Sequence, residues 1–408
     1  MRGVCLASLS FYPLYAGPAV RFQRYAPGLR LRGLPVQVFT QAVTPELVRR
    51  DGSIQNGGGQ QAQGETPLYE VVDGLPIHRV ALPSGARRLP AYYRGLAQHC
   101  RRRRDEIGVV QMLNLDLAAA PWLFQLRRLG VPTVFTHTLL GDFSPRAWKR
   151  RLQRFHRRLP LALVDAVVVS SQAMRRDLLE MGVSTPVEVI PNGVDLRRFH
   201  PPESQEQRER LRLELGLDPG WQVVLAVGPV IPRKGAGELV QAFLSICGEF
   251  PRARLLMVGP RHDLARESLA GFHREMESAI AGAGAQERVI FTGPVSAVQL
   301  YYQAADLLVF PSRREGMPNV VPEAMASRLP VLLTPFTGLP EEFGKPGEQY
   351  LLTDWEPERL AADLRRLLSE PELRQRLGRA GGEWIECTMS AEKSLDLYAG
   401  LYARLGRG

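Results

Sequence analysis

Two glutamates eight positions apart, Glu315 and Glu323, bracket the run Glu-Gly-Met-Pro-Asn-Val-Val-Pro-Glu just after a short apolar stretch. Ala305-Asp306-Leu307-Leu308-Val309-Phe310-Pro311-Ser312 reads as a buried strand that ends at a loop. Val320 to Leu329 reads as the helix that follows, capped by Asn319 and stopped by Pro330, with Pro322 in the first turn, where a missing N–H costs little. Such a loop delivers Glu315 and backbone N–H groups to the carboxyl edge of a strand, beside a helix N-terminus that favours anions. Carboxylates next to a phosphate-attracting dipole suit a ligand with both hydroxyl and phosphate groups, as a nucleotide sugar has.

A second loop has the character to meet a diphosphate. The strand Val223–Val227 is followed by Gly228-Pro229-Val230-Ile231-Pro232-Arg233-Lys234-Gly235 and then by a helix expected over Glu238–Cys247. Adjacent cations fixed at a strand-to-helix loop can neutralise a leaving diphosphate as its charge grows. Taken alone, Arg233-Lys234 is an ordinary surface pair, since basic side chains are mostly exposed. The chain contains no Asp-x-Asp pair, which disfavours a metal bound between substrate phosphates. No metal site and no cofactor are expected.

These loops need a scaffold, and the chain is long enough for two domains. At 408 residues it exceeds one ordinary core. An apolar share of 45% with 23% charged residues is that of a soluble globular protein. No stretch approaches the ~18 apolar residues of a spanning helix, and the apolar start at Val4–Ser10 reads as a first buried strand. Cys5, Cys100, Cys247 and Cys387 form no C-x-x-C pair, so neither a disulfide framework nor a zinc site is indicated, and a cytoplasmic setting fits. Charge is uneven. Residues 1–200 hold 28 Lys and Arg against 14 Asp and Glu, and the remainder 24 against 28. Clusters at Arg101–Arg104 and Lys149–Arg158 supply much of the excess, either as a solvated face or as a surface for anionic lipid, a nucleic acid or an acidic substrate.

Strands and helices alternate throughout, the pattern of parallel sheets covered on both faces. Val36–Thr40, Val109–Leu113, Thr133–Thr136 and Ala166–Ser170 read as strands of the first half, with helices such as Arg21–Leu31 and Ala119–Leu129 between them. Val223–Val227, Arg254–Val258, Val289–Phe291, Leu307–Phe310 and Val331–Leu333 form the second set. Asp51–Pro67, with Asn56-Gly57-Gly58-Gly59, reads as a polar loop. The expected domains are residues 1–195 and 196–389, with a last helix at about 390–408 returning to the first. In doubly wound sheets the ligand lies outside the carboxyl ends of the strands, so the cleft between two such domains is the expected site.

At this point the second half resembles the retaining glycosyltransferases of family 4, which have the GT-B architecture of two facing Rossmann-like domains. The matching pieces are Pro191-Asn192-Gly193-Val194-Asp195 with Phe199, Pro232-Arg233-Lys234-Gly235, Ala304-Ala305-Asp306, Pro311-Ser312, and Glu315–Ala326. Gly293-Pro294-Val295 is similar to the family's base-binding turn, Tyr12-Pro13 with Gly17 to its first glycine-rich loop, and His137 to its acceptor-side histidine. The resemblance implies that Arg233 and Lys234 hold the donor diphosphate and that Glu315 holds the sugar hydroxyls. It places Gly316, Met317, Pro318, Asn319 and Val320 along the sugar–phosphate turn, with Val295 near the base. Glu323 would bind the ribose. Gly17 would let the first domain's backbone approach the phosphates, and His137 would lie near the reacting sugar or acceptor.

Three departures stand out: Pro18 follows Gly17, Pro229 sits where many members have arginine, and Arg328 sits where many have glycine. Other residues have plainer readings. Glu323 could simply serve the helix dipole, Asp142 a turn, and Trp148, Leu152, Phe155 and Leu159 the core side of a basic helix or one pressed on a bilayer. The implied function is sugar transfer from a nucleotide-diphosphate sugar to a hydroxyl acceptor on a glycan or lipid-linked glycan, with no metal. Contact with an anionic membrane through the basic first domain is a further expectation. An epimerase or phosphorylase of the same fold is the alternative. A nucleic-acid binder is a remote one, since no such motif occurs, and a dinucleotide oxidoreductase lacks its G-x-G-x-x-G.

Overall fold

The computed structural model describes residues 2–12, 17–44, 66–138, 158–261, 267–315, 317–336 and 339–406. Pro13, Asp142, Trp148, Leu152, Phe155, Gly316 and most of the Asp51–Pro67 loop lie outside the described residues. The chain divides into two compact units, Met1–Pro191 with Glu392–Gly408, and Asn192–Ala391.

In the first unit eight strands form one sheet: β1 (Gly3–Ala7), β2 (Val36–Gln41), β3 (Tyr69–Val72), β4 (Leu75–Val80), β5 (Ile107–Met112), β6 (Thr133–Thr136), β7 (Ala166–Val169) and β8 (Val187–Val189). Their order is β3-β4-β2-β1-β5-β6-β7-β8, and every pairing is parallel except β3 with β4. β1, β2, β6 and β7 are buried along their whole length, as strands of a parallel sheet covered on both faces must be. The β3–β4 hairpin is absent from the expected strands although its signal is present. Asp73 and Gly74 take φ of 52° and 71°, the paired left-handed conformation that a two-residue turn needs.

The helix Ala391–Leu405 follows the second unit in sequence but packs on the first. Tyr398 meets Phe22 edge-on at 5.2 Å, and Arg32 pairs with Glu392 and Asp396, both at 2.7 Å. Tyr402 donates to Gln111 Oε1 at 2.8 Å, and Gln111 Nε2 donates to Thr136 Oγ1 at 2.9 Å. This chain of polar groups is satisfied within the core, which such groups require when buried.

In the second unit six strands, β9 (Gln222–Val227), β10 (Ala253–Val258), β11 (Val289–Gly293), β12 (Leu307–Phe310), β13 (Val331–Leu333) and β14 (Leu351–Leu352), run parallel in the order β11-β10-β9-β12-β13-β14. Apolar clusters cover both faces of the sheet. The direction of strand order reverses between β9 and β12, which makes that gap the switch point where ligand loops diverge.

Two details of the expected glutamate helix are corrected. It spans Val320–Ala326 rather than reaching Leu329. The chain leaves it at Arg328, which takes a left-handed φ of 56° while Leu329 N–H reaches back to the Ala324 carbonyl at 3.0 Å. That closure normally uses glycine, so arginine here bears roughly 1–2 kcal/mol of backbone strain. Asn319 precedes the helix but gives it no side-chain cap; its backbone is already helical.

Asp306 ties the start of β12 to β9. Its Oδ2 accepts from the Val223 N–H and from Arg212, both at 2.7 Å, and its Oδ1 accepts from Arg208 at 2.8 Å. Burial, the largest effect, pushes the carboxyl upward, yet the two guanidiniums and the Val223 N–H together bring it below its ordinary value. A carboxyl held low stabilises the fold above its unfolded value near 3.8 and loses that contribution as pH falls through the folded value. Asp306→Asn should therefore destabilise the second unit by about 3 kcal/mol at pH 7, because Arg212 is left buried without its anion. Urea unfolding of both proteins should show the difference shrinking as pH drops below about 4.

Candidate functional site

The two loops singled out in the sequence leave adjacent strands. After β9 the chain makes one tight 3-10 turn over Pro232–Lys234 and enters the helix Ala236–Ile246, two residues earlier than expected. Gly235 joins them at φ 69°, and a Cβ there would stand 2.1 Å from the Pro311 carbonyl oxygen. Only glycine lets the backbone after β9 touch the backbone after β12 so closely.

That approach collects the charged groups. Glu315 Oε1 lies 2.7 Å from Lys234 Nζ and 2.9 Å from Arg233 Nη1, and accepts the Ser312 hydroxyl at 2.6 Å. Ser312 is fully buried, and its carbonyl accepts from the Thr334 hydroxyl at 3.0 Å. Arg233 also donates to the Arg314 carbonyl at 2.6 Å and remains half exposed, 49% against 16% for Lys234. The Lys234 ammonium sits 5.3 Å from the Phe310 ring centre. Burial holds the Lys234 amine below the usual lysine range, and the Glu315 carboxylate opposes that shift only in part. Beside Lys234 lies a recess walled by Val227, Gly228, Pro229, Phe310 and Pro311.

Backbone bonds stitch the strand ends around this recess. Gly228 N–H donates to the Val258 carbonyl at 2.8 Å, and Gly259 N–H to the Gly293 carbonyl at 3.0 Å. Gly259, at φ 147°, has no room for a Cβ, which would fall 2.2 Å from the Gly228 oxygen. Val295, two residues past β11, is half-buried. Met317 and Pro318 are buried and Val320 half-buried. Glu323 is 8% exposed in the first turn of its helix, where Oε2 accepts from the Tyr302 hydroxyl at 3.2 Å.

Two positioning residues, Asn192 and Ser312, entered the sequence reading only as members of motifs, with no role of their own. Asn192 Nδ2 donates to the Met317 carbonyl at 3.0 Å and lies 3.4 Å from Asn319 Oδ1, so the Pro191–Asp195 motif anchors the glutamate loop. Ser312 could have been suspected from its place three residues before Glu315. Nothing local could have paired Asn192 with a loop 125 residues away.

In the first unit His137 follows β6, 5% exposed, with its N–H donating to the Val168 carbonyl at 2.8 Å. Gly17 opens the helix Gly17–Leu31. At this sheet's own switch point, between β1 and β5, Asn114 Oδ1 accepts from the Leu9 N–H at 2.8 Å and ties the two strand ends together. Among the described residues no group of three or more His, Cys, Asp or Glu is placed to hold a metal, and no helix is long and apolar enough to cross a membrane.

Comparison with known proteins places this geometry. Residues 207–384 match the family model for glycosyl transferases group 1, and residues 16–193 match that of a glycosyl transferase 4-like domain. A D-inositol 3-phosphate glycosyltransferase of Segniliparus rotundus is 30% identical over 376 residues, covering 86% of this chain and 77% of that protein. Among solved structures, sucrose-phosphate synthase from Thermosynechococcus elongatus aligns over 99% of both chains with a TM-score of 0.74 at 22% identity. Anabaena Alr3699/HepE in complex with UDP-glucose aligns over 99% of this chain and 100% of that one, also at 0.74, with 18% identity. The shared fold is GT-B.

The chain has four lysines, Lys149, Lys234, Lys345 and Lys393, so 13C reductive methylation gives a sparse NMR spectrum. One resonance should titrate below the usual lysine range and vanish in Lys234→Arg. In Glu315→Gln the same resonance should titrate lower still, since the group that opposes desolvation is gone.

Proposed function

Because the chain belongs to the glycosyl transferases group 1 family and is a glycosyltransferase of GT-B fold, we propose that it transfers a sugar from a nucleoside-diphosphate donor to a hydroxyl acceptor, retaining the anomeric configuration. The observation that carries this reading is the meeting of Glu315, Arg233 and Lys234 at the β9–β12 switch point. Two cations at one strand end suit a diphosphate, and the carboxylate suits sugar hydroxyls. The donor class is further supported by the UDP-glucose bound in the Alr3699/HepE structure.

In this reading Lys234 and Arg233 stabilise charge on the leaving diphosphate, the largest electrostatic demand of the reaction. Glu315 holds the sugar, with Met317, Asn319 and Val320 along the sugar–phosphate turn and Glu323 on the ribose. No enzyme nucleophile forms a covalent bond to the sugar. The departing phosphate oxygen takes the acceptor proton on the face from which the acceptor attacks, and the protein's work is positioning and exclusion of water. By the resemblance, Gly17 serves the phosphates and His137 the reacting sugar or acceptor, and no metal takes part. The acceptor is a hydroxyl of a glycan or lipid-linked glycan in cell-surface assembly. The enzyme works in the cytoplasm, with its arginine-rich first unit against anionic membrane.

A screen of nucleotide sugars by thermal shift identifies the donor, because a ligand at 100 times its Kd adds about 2.7 kcal/mol of stability. With that donor and an acceptor, Glu315→Ala and Lys234→Ala should each lower turnover by about 100-fold or more while the fold persists by circular dichroism. NMR of the product should show the donor's anomeric configuration, with the rate unchanged by EDTA. An inverted product would exclude retention, and wild-type rates in either variant would exclude the assigned site.

A further inference from the structure

All three donors at the centre of the site converge on a single oxygen. Glu315 Oε1 receives Lys234 Nζ, Arg233 Nη1 and the Ser312 hydroxyl within 2.9 Å. One carboxylate oxygen offers about two lone-pair sites, so three donors over-subscribe it. The two cations assigned above to the diphosphate are thus both paired with an internal anion. Resting on that assignment, we infer that Glu315 is also an internal competitor of the diphosphate: it exchanges Lys234 and Arg233 with the incoming donor and recaptures them to drive out the nucleoside diphosphate after transfer.

The surroundings fit an exchange rather than a permanent pair. Lys234 is mostly buried and its amine is already disfavoured as a cation, so it needs an anion beside it at every stage. Glu315 supplies that anion before the donor arrives and after the product leaves; the diphosphate supplies it in between. Ser312, a neutral and fully buried donor 2.6 Å from the same oxygen, is the partner the carboxylate keeps when the cations turn to phosphate. Arg233 is the half-exposed member, able to swing towards an arriving ligand first. A site carrying two cations against one carboxylate holds one net positive charge; neutralising the carboxylate doubles it, and an anion without any sugar senses that difference directly.

The test uses ligands that lack the sugar: UDP, GDP, ADP and inorganic pyrophosphate, titrated calorimetrically into the full chain in magnesium-free buffer. Glu315→Gln, which keeps the shape and removes the charge, should bind the preferred diphosphate about 10-fold tighter than wild type. Product dissociation in stopped flow should slow by a similar factor. Glu315→Asp, which keeps the charge, should show no such gain, and Lys234→Ala should lose binding in either background. If Glu315 served only the sugar hydroxyls, Glu315→Gln would leave these affinities unchanged. If it merely preassembled the cations, affinity would fall. Either result overturns the inference while leaving the proposed activity standing. Failure of every diphosphate to bind any form, wild type included, would overturn the proposed donor site itself, and the inference with it.

Discussion

Everything at the candidate site depends on β9 and β12 lying side by side. The two strands are separated by β10 and β11 in sequence, yet Asp306 binds the Val223 N–H at one end of the pair while Gly235 touches the Pro311 carbonyl at the other. Between these contacts the strands are wholly apolar in their buried core, with Val224, Leu225, Leu307 and Leu308 near zero exposure. A carboxylate flanked by two arginines at the base and a glycine that admits no side chain at the top set the spacing of the loops. Glu315 meets Lys234 because of that spacing, not because of anything within either loop.

The electrostatics of the site follow from partial burial. Exposed ion pairs contribute little, and several on this molecule, such as Arg365 with Glu249, are of that kind. Lys234 differs because its ammonium is withdrawn from water beside Phe310 and needs a compensating charge. That need is what makes the cluster responsive to an anionic ligand. Asp306 shows the opposite outcome of the same physics: two guanidiniums overcome its burial and fix it as a permanent anion with a structural task. Both residues belong to motifs of one family, and Lys234 lines the recess beside Phe310.

The first unit is less legible in its chemistry than in its fold. Strands such as Ala166–Val169 announce themselves as apolar runs, but the Asp73-Gly74 hairpin was missed because β3 is partly exposed and interrupted by Glu70. The final helix could be read as amphipathic, while its partners could not. The Tyr402–Gln111–Thr136 chain joins residues nearly 300 positions apart. His137 is recognisable by resemblance and carries no local signature beyond its place after a strand.

By itself the sequence determined the alternation of strands and helices, the doubly wound sheets and the identity of the chemical groups. These are local matters, because apolar runs, turn glycines and charged loop residues express their preferences within a few positions. It misjudged the end of the Val320–Ala326 helix, since an arginine in a left-handed conformation defies the usual preference, and only the packed chain shows that it is tolerated. Tertiary structure alone decided which groups meet: Asn192 with Met317, Asp306 with Val223, and Arg233, Lys234 and Ser312 on one oxygen of Glu315. Contact across a parallel sheet depends on strand order, and strand order is a property of the whole folded unit that no short stretch of residues encodes.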